Sequence, residues 1–522
     1  MPRTLPVSAL IAAALAAGCT ARPVASRTPA LVAELHAADA LAARGCYLCL
    51  REAFARYERL TAEPATAEAA AVRAFRTAVL LAVRERTLGI PGDAFLARAR
   101  RLEARPEARS AAAGRPEDRA ALLAVAETVV WNARGVPKET FESARGGRSA
   151  SSPPSRAAIE ALRSRAPSDD VSAHVLLVAA CDHRRALADL DPAAIAVLHP
   201  SSPLQRFASA VCSGRDPEAF DALLRDEPRF HEVNYFRGLR ELAQGRLVSA
   251  ERLLIDALDH IPAFSAAALS LGEIALALEE PERALAFFDR TLDVAPDHRE
   301  ALVGRVRALS AMQRHGDAIA SADRLIALGT WHLGEAYYWR AWNRGQLGEI
   351  DAAWEDIEHS RRYQPTNADV HALRGLLAWR RGHVEEARAS FVQALASNPN
   401  LCETAFHLGR LEAEQHAWEV GARAFADAAG CYERAEAEVR RRLEETDRSA
   451  LPDDRRAALR ARRERQIDAA QLQRATAAYN AAAGYFNAGR RAEAVVHARA
   501  ALVHPSMRAD AERLLARIDA KR

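Results

Sequence analysis

Residues 383–400 read HVEEARASFVQALASNPN. This is one whole amphipathic helix with its exit turn. The small Ala387 precedes an apolar stripe, and Pro399 stops the helix, because proline lacks an amide proton and clashes with the turn behind it. The arrangement recurs along the chain. Small residues fall at Ala250, Ala284, Ala318, Ala353, Ala387 and Gly421, in steps of 34, 34, 35, 34 and 34. Closing prolines share the phase at Pro262, Pro296, Pro365 and Pro399. A second small position runs through Gly238, Gly272, Ala341, Gly375 and Gly409 and lapses only near Val306. A fixed period of this length marks a repeat architecture, in which each unit buries its apolar face against the next.

Over residues 231–435 these six phased units resemble the tetratricopeptide repeat. The resemblance implies an all-α fold: a right-handed α-solenoid of helical hairpins, helix A packed on helix B in each unit. The small residues then sit where the two helices cross, and a larger side chain there would overpack by about 1–3 kcal/mol. Residues 31–143 and 157–230 read as degenerate helical repeats, joined by the Gly-, Ser- and Pro-rich linker ARGGRSASSPPSR at 144–156. Residues 474–522 read as a C-terminal capping pair, carried by YNAAAGYFNAGRRAEAVVHARAALVHP at 479–505.

Between the sixth unit and this cap lies a charged insertion, residues 436–473. Glu436–Arg440, Glu438–Arg442 and Glu444–Arg448 have the i,i+4 order that supports an exposed helix. Pro452 breaks it and Asp453 opens a second helix, so a long antiparallel hairpin projecting from the array is expected. The basic run RARRER, 460–465, sits among acids and reads as a solvated face rather than a phosphate site.

Residues 1–18 read as a lipoprotein signal peptide and 19–30 as a linker. Arg3 supplies the positive start, and Leu5–Ala17 is an apolar run too short to span a bilayer. It ends in LAAGC, 15–19, which resembles the bacterial lipobox, with Ala16 where leucine is usual. The resemblance implies lipidation of Cys19, and Thr20 after it implies the outer membrane, facing the periplasm. Ordinary secretion with cleavage elsewhere is the other reading. Several acyl chains on one residue give stable anchoring, since each buried CH₂ contributes about 0.8 kcal/mol.

Composition excludes more than it selects. The chain is 49% hydrophobic but only 6% aromatic, which suits helices with close backbones. Its 72 basic and 69 acidic residues leave a formal charge of +3, so no strong field draws nucleic acid. Lys138 and Lys521 are the only lysines, and no G-x-x-x-x-G-K phosphate loop exists. His231-Glu232 begins a zinc-protease pattern, but Tyr235 stands where the second histidine belongs. No catalytic residue, metal set or cofactor site is assigned.

Export to an oxidising compartment makes the other six cysteines candidates for disulfides. Cys402 opens helix A of the sixth unit and Cys431 lies near the end of its helix B by repeat phase, which places them at one end of a hairpin, within bridging range. Cys181 and Cys212 fall on neighbouring helices. GCYLCLREAF, 45–54, holds Cys46 and Cys49. Leu50 rules out haem attachment there, and no second close pair completes a zinc site. An elongated structural turn starting at Gly45, followed by a helix with Ala53, Tyr57 and Leu60 inward, fits better than a redox pair; whether the two are paired stays open.

The repeat resemblance also locates a binding surface, because helix A lines the concave side. Its exposed positions carry Tyr235, Arg307, Tyr338, Trp342, Trp379, Arg380, Phe406, Arg410 and Glu414. Tryptophan, tyrosine and arginine are the residue types enriched in binding hot spots. Trp339 and Trp354 fall off this phase and are expected between helices. The family's carboxylate clamp uses lysine and asparagine in the first three helices A, where this chain has Tyr235, Leu239, Ser270, Glu300 and Gly304, so that clamp is absent. The implied function is a non-enzymatic, lipid-anchored scaffold that binds an extended peptide or partner helix in the groove, in envelope assembly or secretion. A ligand- or glycan-capture protein, or an enzyme with its site in residues 105–230, are the alternatives. Cys19→Ser should leave the chain unlipidated with its repeats folded; membrane fractionation checks this, and native protein already soluble in the periplasm would contradict it.

Overall fold

The computed structural model describes residues 28–90, 93–105, 116–131, 155–182, 187–212, 217–329 and 332–520. The expected signal peptide, Cys19 and nearly all of the linker at 144–156 lie outside the described residues. The described residues form α-helices and two short 3₁₀ turns, with no strand. They divide into two compact bodies between Phe236 and Arg237.

The first body is built from α1 (Thr28–Arg44), α2 (Tyr47–Leu60), α3 (Ala67–Thr87), α4 (Asp93–Glu103), α5 (Pro116–Trp131), α6 (Arg156–Arg165), α7 (Asp170–Asp182), α8 (Pro192–Ala196), α9 (Pro203–Cys212) and α10 (Pro217–Asp226). Helix α11 (Glu232–Ala243) opens the periodic array, and the division falls inside it. Its partner is α12 (Leu247–His260). Then follow α13 (Ser265–Ala277) with α14 (Pro281–Val294), α15 (Arg299–Ala311) with α16 (His315–Ala327), and α17 (Leu333–Gln346) with α18 (Ile350–Tyr363). The array continues through α19 (Ala368–Arg380) with α20 (Val384–Ser397) and α21 (Cys402–Glu414) with α22 (Trp418–Asp447), then α23 (Asp453–Asn487), α24 (Arg491–Ala500) and α25 (Pro505–Ala520).

Each helix A ends in the same way. Gly245, Glu279, Gln313, Gly348, Gly382, His416 and Gly489 all have positive φ. The next residue's amide then donates five residues back, as from Glu280 to Ala275 and from His383 to Ala378, at 2.8–3.0 Å in every repeat. This is the Schellman cap, which satisfies the helix's orphan carbonyls and turns the chain into helix B. Glycine takes the conformation freely; glutamate, glutamine and histidine hold it at a steric cost.

The two helices of a repeat then meet at positions sixteen residues apart. A Cβ on Gly272 would lie 2.5 Å from the Phe288 ring, one on Gly375 2.5 Å from Phe391, and one on Gly409 2.7 Å from Phe425. Gly238 faces Leu254 in the same way. The lapse at Val306 has its explanation here: its counterpart on helix B is the small Ala322, so the larger side chain has changed sides. Both are fully buried.

The inserted hairpin departs from expectation in two respects. Its arms are not separate from the repeats: α22 is helix B of the sixth repeat prolonged, and α23 ends as helix A of the seventh. Nor does the tip project. Arg455 reaches back to Glu251 on α12 and Glu280 at the start of α14, because arginines on the tip find carboxylates on the first two repeats. A further helix, α25, follows the expected cap, and its Ala511, Leu514 and Ile518 are buried.

Relieving one strained cap and overfilling one crossing should move stability in opposite directions. Gln313→Gly should stabilise by up to about 1 kcal/mol, and Gly272→Ala should cost about 1–3 kcal/mol. Urea unfolding midpoints measure both, and a Gly272→Ala chain as stable as the parent would contradict the crossing geometry.

Candidate peptide-binding site

The structure sorts the groove candidates by what they touch. Tyr235 lies in the first body, its ring edge-on to Phe236. Arg307 pairs with Glu273 on the preceding helix A at 3.2 Å. Tyr338 and Trp342 are half-buried against the cluster of Ala341, Ile357 and Leu373, and Trp342 also packs on His315 and Trp339. Arg380 donates to the Gly345 carbonyl at 2.9 Å, bracing the repeat before it. Trp339 and Trp354 pack against core clusters, in keeping with their place off the groove phase.

The other four come together. The Trp379 indole donates to Glu414 at 3.1 Å, and the Arg410 guanidinium stands 5.0 Å from the same ring's centroid. Arg410 and Glu414 are half-exposed and 3.9 Å apart, a surface pair worth about 0–1 kcal/mol. The cation therefore remains available to a partner's carboxylate. Beside them a cavity of about 450 Å³ opens between α21, α22 and α23. Its apolar wall is Phe406, Trp418 and Phe425; its polar groups are Arg410, Glu414, Asn480 and Asn487. That volume is within the range of ligand pockets, and the mix of aromatic walls with a few convergent polar groups is their usual chemistry.

The walls are held by close packing. Phe406 meets Phe425 edge-on, with centroids 5.2 Å apart. A Cβ on Gly484 would lie 3.0 Å from Ala422, so glycine lets α23 lie close on α22 where a side chain would push the two apart by a few tenths of an ångström. Cys402 and Cys431 are disulfide-bonded, Cα atoms 5.3 Å apart, which ties the start of α21 to α22. A loop of this length contributes about 3–4 kcal/mol in the chain-entropy model. Trp418, Asn480 and Asn487 were not singled out in the sequence. The signal for the two asparagines is the run YNAAAGYFN, 479–487, in which they stand seven apart on one helix face; Trp418 has no such signal.

The regular array and its crossings agree with the comparison of sequences: residues 241–302 match the family model for the tetratricopeptide repeat. Residues 241–302 thus carry tetratricopeptide-repeat sequence, and the helix pairs after them continue the same period. No curated protein matches the chain. Similar solved structures include a tetratricopeptide repeat protein from Parabacteroides merdae, 17% identical, covering 55% of this chain and 98% of its own, with a TM-score of 0.36. Another is PilF of Pseudomonas aeruginosa, 17% identical, covering 40% and 97%, with a TM-score of 0.35. A third is MamA from Desulfovibrio magneticus, 18% identical, covering 32% and 94%, with a TM-score of 0.30.

The region kept open for an enzyme, residues 105–230, belongs to the first body, whose perturbed groups are packed into its core. Arg84 and Glu232 pair at 3.1 Å, both fully buried, and Arg84 lies 3.9 Å from the centroid of the Phe207 ring. Glu232 also accepts the Tyr47 amide at 2.8 Å. His174 is buried with Nδ1 on the Leu204 carbonyl, and burial, helped by Arg84, lowers its pKa to about 3, so it stays neutral. Cys46 and Cys49 are disulfide-bonded and wholly buried beside Phe207 and Phe230. The turn there is shorter than expected, only Gly45 and Cys46, and the Cys46 sulfur caps α2 by accepting the Cys49 amide. Cys181 and Cys212 join α7 to α9. These groups knit the helices of the first body together.

Glu85 gives that core a pH dependence. It accepts the Tyr47 hydroxyl at 2.9 Å, and burial lifts its carboxyl to about 7 against the lowering effect of Tyr47, Arg51 and Arg98. The native state thus binds more protons than the unfolded chain between the ordinary carboxylate value and 7. Stability conferred by this group falls as pH rises through that window and is level above it. Glu85→Gln should flatten the fall in thermal midpoint between about pH 5 and 8; an unchanged slope would place the proton elsewhere.

Proposed function

We propose that this solenoid is a protein-interaction scaffold that holds an extended peptide along helices A of the last repeats, with one large apolar side chain in the pocket at α21–α23. The observation that carries the reading is the convergence of Phe406, Arg410, Glu414 and Trp418 with Asn480 and Asn487 around one cavity, with Trp379 bonded to Glu414 at its edge. Aromatic walls give contact area at low entropic cost. Carboxamides both donate and accept, and so can pair with both polar groups of an extended backbone. Arg410 favours an acidic residue beside the apolar one. A lipid on Cys19, read from LAAGC, would hold the scaffold at the outer membrane facing the periplasm, where assembly of envelope structures or secretion supplies exposed peptide segments.

Tryptophan fluorescence reports binding directly, since Trp379 and Trp418 line the region. Titration with acidic peptides carrying one phenylalanine or leucine should quench or shift it, and the same peptides with alanine at that position should bind at least tenfold more weakly. Arg410→Ala with Asn487→Ala should weaken binding by more than about 1 kcal/mol with circular dichroism unchanged. A response to oligosaccharides and none to peptides would favour ligand capture instead.

A further inference from the structure

The tip of the charged hairpin is bound, and its partners lie 175 to 204 residues away in sequence. Arg455 makes a fork to Glu280, Nε to Oε1 at 3.0 Å and Nη2 to Oε2 at 2.8 Å, while Nη1 donates to Glu251 Oε2 at 2.7 Å. Arg283 closes the cluster from the repeat side, donating to Glu251 Oε1 at 2.7 Å and also to Glu280. Two to three helical turns further on, Arg462 donates to the Glu279 carbonyl, Arg463 binds the Glu279 carboxylate, and Gln466 donates to the same carboxylate at 2.9 Å. Glu279 is the residue with positive φ at that repeat's cap. Glu251 and Arg463 are buried, only 4% and 6% exposed.

This is a bidentate, partly buried ionic cluster rather than an isolated surface pair, and it joins two parts of one array distant in sequence. The hairpin's root is the pocket: Trp418 and Phe425 come from α22, Asn480, Ala483 and Asn487 from α23. Its α22 arm runs 30 residues, roughly 45 Å at 1.5 Å per residue. Two helices packed along their length move together, so a restraint at the tip is felt at the root.

We infer that the hairpin is an ionic latch: Arg455 and Arg463, locked on Glu251, Glu279 and Glu280, fix the first two repeats to the last two and hold the pocket's walls in place. Release of the latch loosens the tip, the second repeat's cap and the pocket together. This coupling is independent of what the pocket binds.

Hydrogen–deuterium exchange of the full chain tests it without any ligand. In Arg455→Glu with Arg463→Glu, amides at 448–466 and 275–283 should exchange at least tenfold faster, and those at 406–425 and 480–487 should also lose protection. Arg442→Glu, which breaks a pair with the hairpin's own Glu438 outside these segments, should change neither region. Should the double variant fail to fold, the parent chain is measured from about 0.05 to about 1 M NaCl, where the screening length shrinks to roughly 3 Å and the same four segments should loosen. Unchanged protection at the tip in both experiments overturns the latch. A loosened tip with pocket walls as protected as in the parent overturns its coupling to the pocket.

Discussion

The spacing of the array rests on one exchange of volume, in which a ring on helix B fills the place where helix A has no side chain. Phe288 shows how far this goes: it meets Gly272 of its own repeat and Gly304 of the next, where an added Cβ would lie 2.3 Å from the ring. One phenylalanine therefore sets both the crossing within a repeat and the distance between repeats. Interiors packed this closely tolerate the swap of large for small only if the partner changes as well. Val306 with Ala322 is that compensated swap, and Ala341 with Ile357 is an intermediate case, all four buried.

A polar ladder lies over the apolar one. Arg305 reaches Asp289 on the preceding helix B and Ser321 on its own. Arg340 bridges Asp323 and Asp356, and Arg374 bridges Glu358 and Ser390, in nearly the same repeat phase. A planar guanidinium can serve two helices at once, because its five donors point in fixed directions; an ammonium has no such fork. The arginine bias of the sequence thus has a structural use. The left-handed caps complete the unit, three of them at non-glycine residues where a turn must be made whatever the side chain.

What could be read in the sequence was what repeats. Period, closing prolines and small positions are local patterns copied several times, so each copy corroborates the others. The pocket could be read only by half: Phe406, Arg410 and Glu414 lie on a helix A of known phase, whereas Asn480 and Asn487 lie beyond the insertion, where the phase restarts. Trp342 and Trp379 differ for a reason periodicity does not carry. His315 and Trp339 close over Trp342, while Trp379 looks along the groove to Glu414. The arms of the hairpin follow from i,i+4 pairs within it, but the seat of its tip does not, since helical spacing says nothing about a carboxylate in another repeat. Cys46 and Cys49 mark a turn in the sequence; their burial beneath Phe207 depends on α9, distant in the chain.

The array survives so long an insertion because the insertion returns on itself. Helix B of the sixth repeat continues as α22, the chain turns at 448–452, and α23 comes back antiparallel. Gly484 on the returning arm then packs closely on Ala422 of the outgoing one, so the seventh repeat resumes directly against the sixth. A hairpin of any length preserves that junction provided its two arms match, since the added residues pair with one another. Length is therefore free to be set by the tip. Here it is the length at which Arg455 meets Glu251 and Glu280, which makes the seat on the first repeats, rather than the repeat packing, the constraint that accounts for two helices so much longer than their neighbours.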